Sequence, residues 1–131
     1  MWYLLAVTWL RDKVVLVTGA SGGLGQALAT EFAGAGAMVI VSSRNEDKLQ
    51  ALAQRLKNNG GQALGLRCDI VDKAQVDALC TIITERIGTV QILINNAGIA
   101  RAASFLEMAD HLWDEVLRVN LTGTYNCCKA F

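Results

Sequence analysis

The sequence predicts an α/β fold, a parallel sheet doubly wound by helices on both faces, and three observations carry that prediction. Short apolar runs alternate with amphipathic helical patterns along most of the chain. The runs Val14–Thr18, Met38–Ser42, Ala63–Cys68 and Gln91–Asn95 show no polar alternation, as expected of strands covered on both faces. A glycine-rich turn, Thr18-Gly19-Ala20-Ser21-Gly22-Gly23-Leu24-Gly25, joins the first strand to the first helix. A length of 131 residues suits one domain, and 53% hydrophobic against 18% charged residues suits a core on two faces of a sheet.

The helices follow from their stripes and their ends. The first is expected from about Gly23 to Ala33, with Leu24, Leu28 and Phe32 four residues apart, stopping at Gly34 and Gly36. The second starts at Asn45, a good N-cap, with Glu46 and Asp47 suiting the dipole of its first turn. Its stripe is Leu49, Leu52 and Leu56, and Gly60-Gly61 ends it. The third starts at Asp72 with Gln75 in capping-box spacing, buries Val76, Leu79, Ile83 and Ile87, and closes at Gly88. A fourth runs from near Asp110 onward, burying Trp113, Val116, Leu117 and Leu121. The order β-α-β-α-β-α-β-α implies right-handed crossovers. It supplies one βαβαβ half of a dinucleotide fold plus a single βα unit. The sequence therefore reads as part of a domain, incomplete at about four strands, with the fourth strand's edge uncovered.

Composition excludes several classes. Twelve basic and twelve acidic residues, without blocks of like charge, give no footprint for nucleic acid. Cys68, Cys80, Cys127 and Cys128 have no metal-ligand spacing and read as buried or half-buried free thiols of a reducing, cytoplasmic compartment. His111 is the one histidine and reads as a helix-surface residue. Residues 1–10, MWYLLAVTWL, are an apolar lead-in to the domain of residues 11–131. They fall short of the roughly 20 residues of a membrane span. They lack the basic start and cleavage site of a signal peptide. An interfacial anchor through Trp2, Tyr3 and Trp9 is the alternative, and membrane contact is not the expected role.

A strand, a glycine turn and a helix make a phosphate-binding device. The helix N-terminus offers unpaired N–H groups and partial positive charge. The glycines let phosphates approach the backbone. The spacing is neither G-x-G-x-x-G nor the Walker pattern, since no Lys-Ser or Lys-Thr follows.

Three further motifs accompany the turn: Cys68-Asp69-Ile70 after the third strand, Asn95-Asn96-Ala97-Gly98 at the end of the fourth, and Asn120-Leu121-Thr122-Gly123 in the last helix. Together with Thr18–Gly25 they resemble, in order and spacing, the short-chain dehydrogenase/reductase family. The resemblance extends from about Leu10 to Phe131, and the overall look is that of 3-oxoacyl thioester (acyl carrier protein) reductase-like members. TGASGGLG fits two glycine patterns of the family; NNAG and NLTG favour its single-domain branch. The resemblance implies a Rossmann-like sheet, a nicotinamide cofactor, and hydride transfer with a small carbonyl or alcohol substrate. It implies that Gly19, Ser21, Gly23, Leu24 and Gly25 line the pyrophosphate and adenosine ribose. By the same resemblance Asp69 and Ile70 meet the adenine, and Asn96, Ala97 and Gly98 lie beside the cofactor ribose. Asn95 would tie the central strands together. Asn120 would interrupt the helix ladder and hold a water in the proton relay, as the one member of the catalytic set present. The bland alternatives are turn capping for Asp69 and an ordinary helix-face amide for Asn120.

Cofactor choice is argued at the end of the second strand. An NAD-user places an acid there, about 20 residues past the glycines. Here the chain reads Val41-Ser42-Ser43-Arg44-Asn45, with no acid before Glu46. A carboxylate would repel a 2′-phosphate and an arginine can grip it, so Arg44, helped by Ser43, favours NADP over NAD. The alternative for Arg44 is a solvated surface charge. Tyr125 and Lys129 match Y-x-x-x-K, the family's catalytic pair, yet Tyr125 follows Asn120 by only five residues in the same helix. In the family that pair follows another strand carrying a catalytic serine. Tyr125 and Lys129 are therefore expected to match an earlier helix that packs between subunits of a homo-oligomer. The isolated chain is expected to be inactive, and the competing class is a non-catalytic nucleotide-binding or subunit-pairing protein.

Overall fold

A computed structural model of the chain describes residues 9–131. Most of the apolar lead-in, with Trp2 and Tyr3, lies outside the described residues. Trp9 lies inside them and is exposed.

Four strands, β1 (Val14–Thr18), β2 (Met38–Ser43), β3 (Gln62–Arg67) and β4 (Ile92–Ile94), form one parallel sheet in the order β3-β2-β1-β4. The helices between them are α1 (Gly23–Gly34), α2 (Glu46–Asn58) and α3 (Lys73–Arg86). After β4 come a 3₁₀ turn (Phe105–Glu107), α4 (Asp110–Leu117), a π-helical stretch (Arg118–Gly123) and α5 (Thr124–Ala130). β4 is shorter than its apolar run because only Ile92, Leu93 and Ile94 find partners on β1.

The pleat divides the core in two. Val15, Val17, Val39 and Val41 face α1 and α2, against Ala29, Ala33, Leu49, Leu52 and Leu56. Leu16 and Ile40 face the other way, onto Val76, Leu79 and Ile83 of α3 and onto Cys127 of α5. Burial on both faces is why β1 and β2 show no alternation in sequence. The end signals act as their chemistry requires: the Asn45 side chain accepts from Lys48 N–H (3.0 Å), and Asp72 accepts from Ala74 (3.0 Å) and Gln75 (3.2 Å). Gln75 departs from the capping box: its Nε2 donates to the Asp72 carboxylate, and its Oε1 accepts from Asp69 N–H.

Three expectations are corrected. The buried stripe of α1 is Gly25, Ala29 and Ala33, while Leu24 is exposed and Leu28 and Phe32 are half-buried. Small residues bring this helix close to the sheet, which displaces the larger side chains to its flanks. The last helix is also rotated from its expected face. Trp113, Leu117 and Leu121 are exposed, Val116 is half-buried, and Gly123, Asn126 and Cys127 are buried. A Cβ on Gly123 would stand 2.5 Å from Ile70 Cδ1, so the helix crosses here through its smallest residue. Lastly, Cys128 is exposed; Cys68 and Cys127 are buried and Cys80 is half-buried, all four as free thiols.

Candidate functional site

A cleft of about 630 Å³ opens at the C-terminal ends of the strands, where ligands of open α/β sheets bind. Its floor is the β1–α1 turn. Gly19, with φ +64°, sits so close to the β4 loop that a Cβ would lie 2.6 Å from Ala97 Cα. A Cβ on Gly25 would lie 2.7 Å from Gly19 O and 2.8 Å from Ala20 Cα. Gly23 differs: a Cβ there would meet nothing within 4 Å. Two glycines are thus required by packing, and the third, which lines the cleft, has open space where a Cβ would stand. The first turn of α1 carries no acid, and its N-cap, Gly22, supplies no side-chain acceptor. Unlike α2 and α3, this helix leaves its first N–H groups directed at the cleft without a side-chain cap. Polar backbone donors and an absent Cβ suit an anionic phosphate.

Thr18 anchors the site. Its hydroxyl donates to Ile94 O (3.3 Å) and accepts from Asn96 N–H (3.2 Å) and Ala97 N–H (3.1 Å). Asn96 completes the tie by donating through Nδ2 to Thr18 O (3.0 Å) and Gly19 O (3.2 Å). The role expected of Asn95 therefore falls to Asn96. The Asn95 amide instead donates to Cys128 Sγ (3.2 Å), because its side chain leaves the strand on the side of the last helix.

All twelve residues expected at the cofactor line this cleft: Gly19, Ser21, Gly23, Leu24 and Gly25 on its floor, Ser43 and Arg44 at the end of β2, Asp69 and Ile70 beyond β3, and Asn96, Ala97 and Gly98 beyond β4. The Ser43 hydroxyl accepts from Asn45 N–H (3.2 Å), which orders the turn that presents Arg44. Asp69 has two functions in view: one carboxylate oxygen accepts from Val71 N–H (3.1 Å), and the other has no partner among the described residues. Gly22, Asn45, Cys68, Ile99 and Val119 also line the cleft and were not expected there. Each lies in or beside a recognised motif, which is the signal that could have found them. Burial first, then the neighbouring Cys127 thiol and Asp69, push the Cys68 pKa up to about 12.

Asn120 stands apart from the cleft lining. Its side chain closes on the Ile99 peptide, accepting from Ile99 N–H (2.8 Å) and donating to Ile99 O (2.9 Å). The helix ladder widens to π geometry over Arg118–Gly123, the stretch that contains Asn120. A second clamp is the two-pronged ion pair of Arg101 with Glu115 (3.1 and 3.0 Å). Tyr125 and Lys129 bond to each other (Nζ to hydroxyl, 3.1 Å) on an exposed helix face and do not line the cleft.

The family model for short chain dehydrogenases matches residues 13–131. The chain belongs to the short-chain dehydrogenase family. It is 39% identical over 121 residues to D-threitol dehydrogenase of Mycolicibacterium smegmatis, covering 92% of this chain and 46% of that one. Among solved structures, actinorhodin polyketide ketoreductase with NADPH matches at 36% identity and a TM-score of 0.87, over 91% of this chain and 46% of that one. A metagenomic short-chain oxidoreductase in complex with NADP matches at 32% identity and a TM-score of 0.87, over 93% and 56%. The chain spans about half the length of the curated relatives it matches. Among the described residues no helix is long and apolar enough to cross a membrane.

Proposed function

We propose that this chain is the cofactor-binding part of an NADP-dependent oxidoreductase that moves a hydride between the nicotinamide and a carbonyl or alcohol carbon. The cleft carries the reading. It joins an uncapped helix N-terminus, a glycine with open space before it, and an arginine at the end of β2 with no acid beside it in sequence. NADPH and NADP in the two solved relatives support the same choice.

Bound there, the nicotinamide would supply or accept the hydride. The chain's own residues would bind and orient. The N–H groups of the first turn of α1 would take the pyrophosphate, with Gly23 giving it room. Arg44 and Ser43 would hold the 2′-phosphate, the free oxygen of Asp69 would accept from the adenine amine, and Ile70 would flank the ring. Ala97 and Gly98 would bound the ribose. Asn120 would act as a positioning residue, since its amide is occupied in fixing Ile99.

Calorimetric titration tests the cofactor. NADP should bind more tightly than NAD, and the reverse order would overturn the choice. A carbonyl-reduction assay on the same chain should show no turnover, because Tyr125 and Lys129 lie away from the cleft; robust turnover would restore them as the catalytic pair. A second reading, a nucleotide-binding protein that pairs with other subunits, is favoured by the exposed Leu117, Leu121 and Tyr125 on the last helix. In either reading these residues suit a homo-oligomer, and the free thiols suit the cytoplasm.

A further inference from the structure

We propose that Arg67 is a second cation for the ribose 2′-phosphate, working beside Arg44, so that two strand ends rather than one set the preference for a phosphorylated ribose. The inference rests on the NADP reading above and adds a residue to it.

Register makes the first case. Arg67 is the Cα partner of Ser43 in the parallel β2–β3 ladder, so both side chains rise from the same face at the same level of the sheet. Ser43 and Arg44 line the cleft, and Arg67 stands beside them just outside its lining.

A hydrogen bond makes the second. Arg67 Nε donates to Arg44 O at 3.2 Å, which fastens the stem of one arginine to the backbone of the other. That bond uses one donor of the fork and leaves the terminal N–H groups without a partner among the described residues.

Charge makes the third. The ion pairs among the described residues are Lys73–Asp77 and Arg101–Glu115, so neither Arg44 nor Arg67 has a carboxylate at ion-pair distance, Glu46 and Asp47 included. Arg44 and Arg67 carry like charge on neighbouring strand ends, and an anion placed between them would be attracted by both. A 2′-phosphate brings up to two negative charges and can accept from both forks. The hydroxyl that NAD carries at that position offers neither.

The test is calorimetry with 2′,5′-ADP and 5′-AMP on the wild-type chain and on R44Q, R67Q and R67K. Both arginines are exposed, so screening keeps each effect modest. R67Q should weaken 2′,5′-ADP by about fivefold and leave 5′-AMP within about twofold, with R67K recovering part of the loss. R44Q should lose more. If R67Q binds 2′,5′-ADP as the wild type does while R44Q loses the preference, Arg67 is a surface charge and the NADP reading stands without it. If R67Q weakens both nucleotides equally, its role is structural and the proposal is overturned. If the wild type binds 5′-AMP as tightly as 2′,5′-ADP, the NADP reading and this inference fall together.

Discussion

Replacing Gly23 by alanine should separate folding from binding, and replacing Gly25 should not. A Cβ at position 25 would lie 2.7 Å from Gly19 O and 2.8 Å from Ala20 Cα, both backbone atoms that cannot rotate away. Overpacking of this kind costs about 1–3 kcal/mol. Relief would push the β1–α1 turn against Asn96, whose Nδ2 is also 2.8 Å from the new atom. At position 23 nothing lies within 4 Å, and the residue opens α1. Alanine there should leave stability unchanged or raise it by up to about 1 kcal/mol, through helix propensity and a less flexible unfolded chain. Its methyl would nevertheless stand where phosphate is proposed to sit. Urea midpoints and calorimetric NADP titrations of both variants form the assay. Gly25→Ala should lose about 2 kcal/mol of stability and its binding with it. Gly23→Ala should melt like the wild type or later, yet bind NADP at least about tenfold more weakly, the loss expected when a well-placed charged hydrogen bond is displaced. Undiminished affinity in Gly23→Ala would refute the placement of the ligand, and a Gly25→Ala variant as stable as the wild type would refute the close approach.

Further predictions concern the frame. Removing Asn126 as Asn126→Ala should cost about 1–3 kcal/mol in urea unfolding, because its buried amide donates to Ile70 O (2.9 Å) and the carbonyl would be stranded. A maleimide should label Cys128 fast in the native chain and Cys68 and Cys127 only after denaturation. Burial raises the Cys68 and Cys127 pKa values from 9.0 to about 12 and about 11. Their contribution to stability is whole below pH 9.0 and is lost as pH rises toward those values, so unfolding midpoints should fall above pH 9.0. Asp72 has the opposite sign. Hydrogen bonds from Gln75, side chain first, then backbone, hold its pKa below the ordinary 3.8. Its cap is whole above that value and lost as pH falls through the depressed pKa; Asp72→Asn should show a shallower acid limb in a pH series of midpoints.

Strands and helix ends were legible in the sequence because local chemistry decides them. Asn45 and Asp72 cap where capping residues should, and β1 and β2 are buried on both faces as their uniform runs imply. Ten of the twelve expected cleft residues were legible because family resemblance carries their spacing, and Ser43 and Arg44 because no acid stands at the end of β2. What the sequence did not disclose is which face a helix turns inward when small residues permit a closer crossing. Gly25, Ala29 and Ala33 displaced the leucines of α1, and Gly123 against Ile70 turned the last helix away from its apolar stripe. The exchange of roles between Asn95 and Asn96 has a similar origin. Adjacent residues at a strand end leave on opposite sides, and the loop beyond β4 decides which side meets Thr18.

Backbone amide shifts followed by NMR during an NADP titration test the central claim most directly. Binding in the proposed cleft predicts shifts concentrated at Gly19–Gly25, Ser43–Asn45, Cys68–Ile70 and Asn96–Ile99, with Leu117, Leu121 and Tyr125 silent. An unchanged spectrum at saturating NADP, or shifts gathered on the exposed face of the last helix, would contradict it.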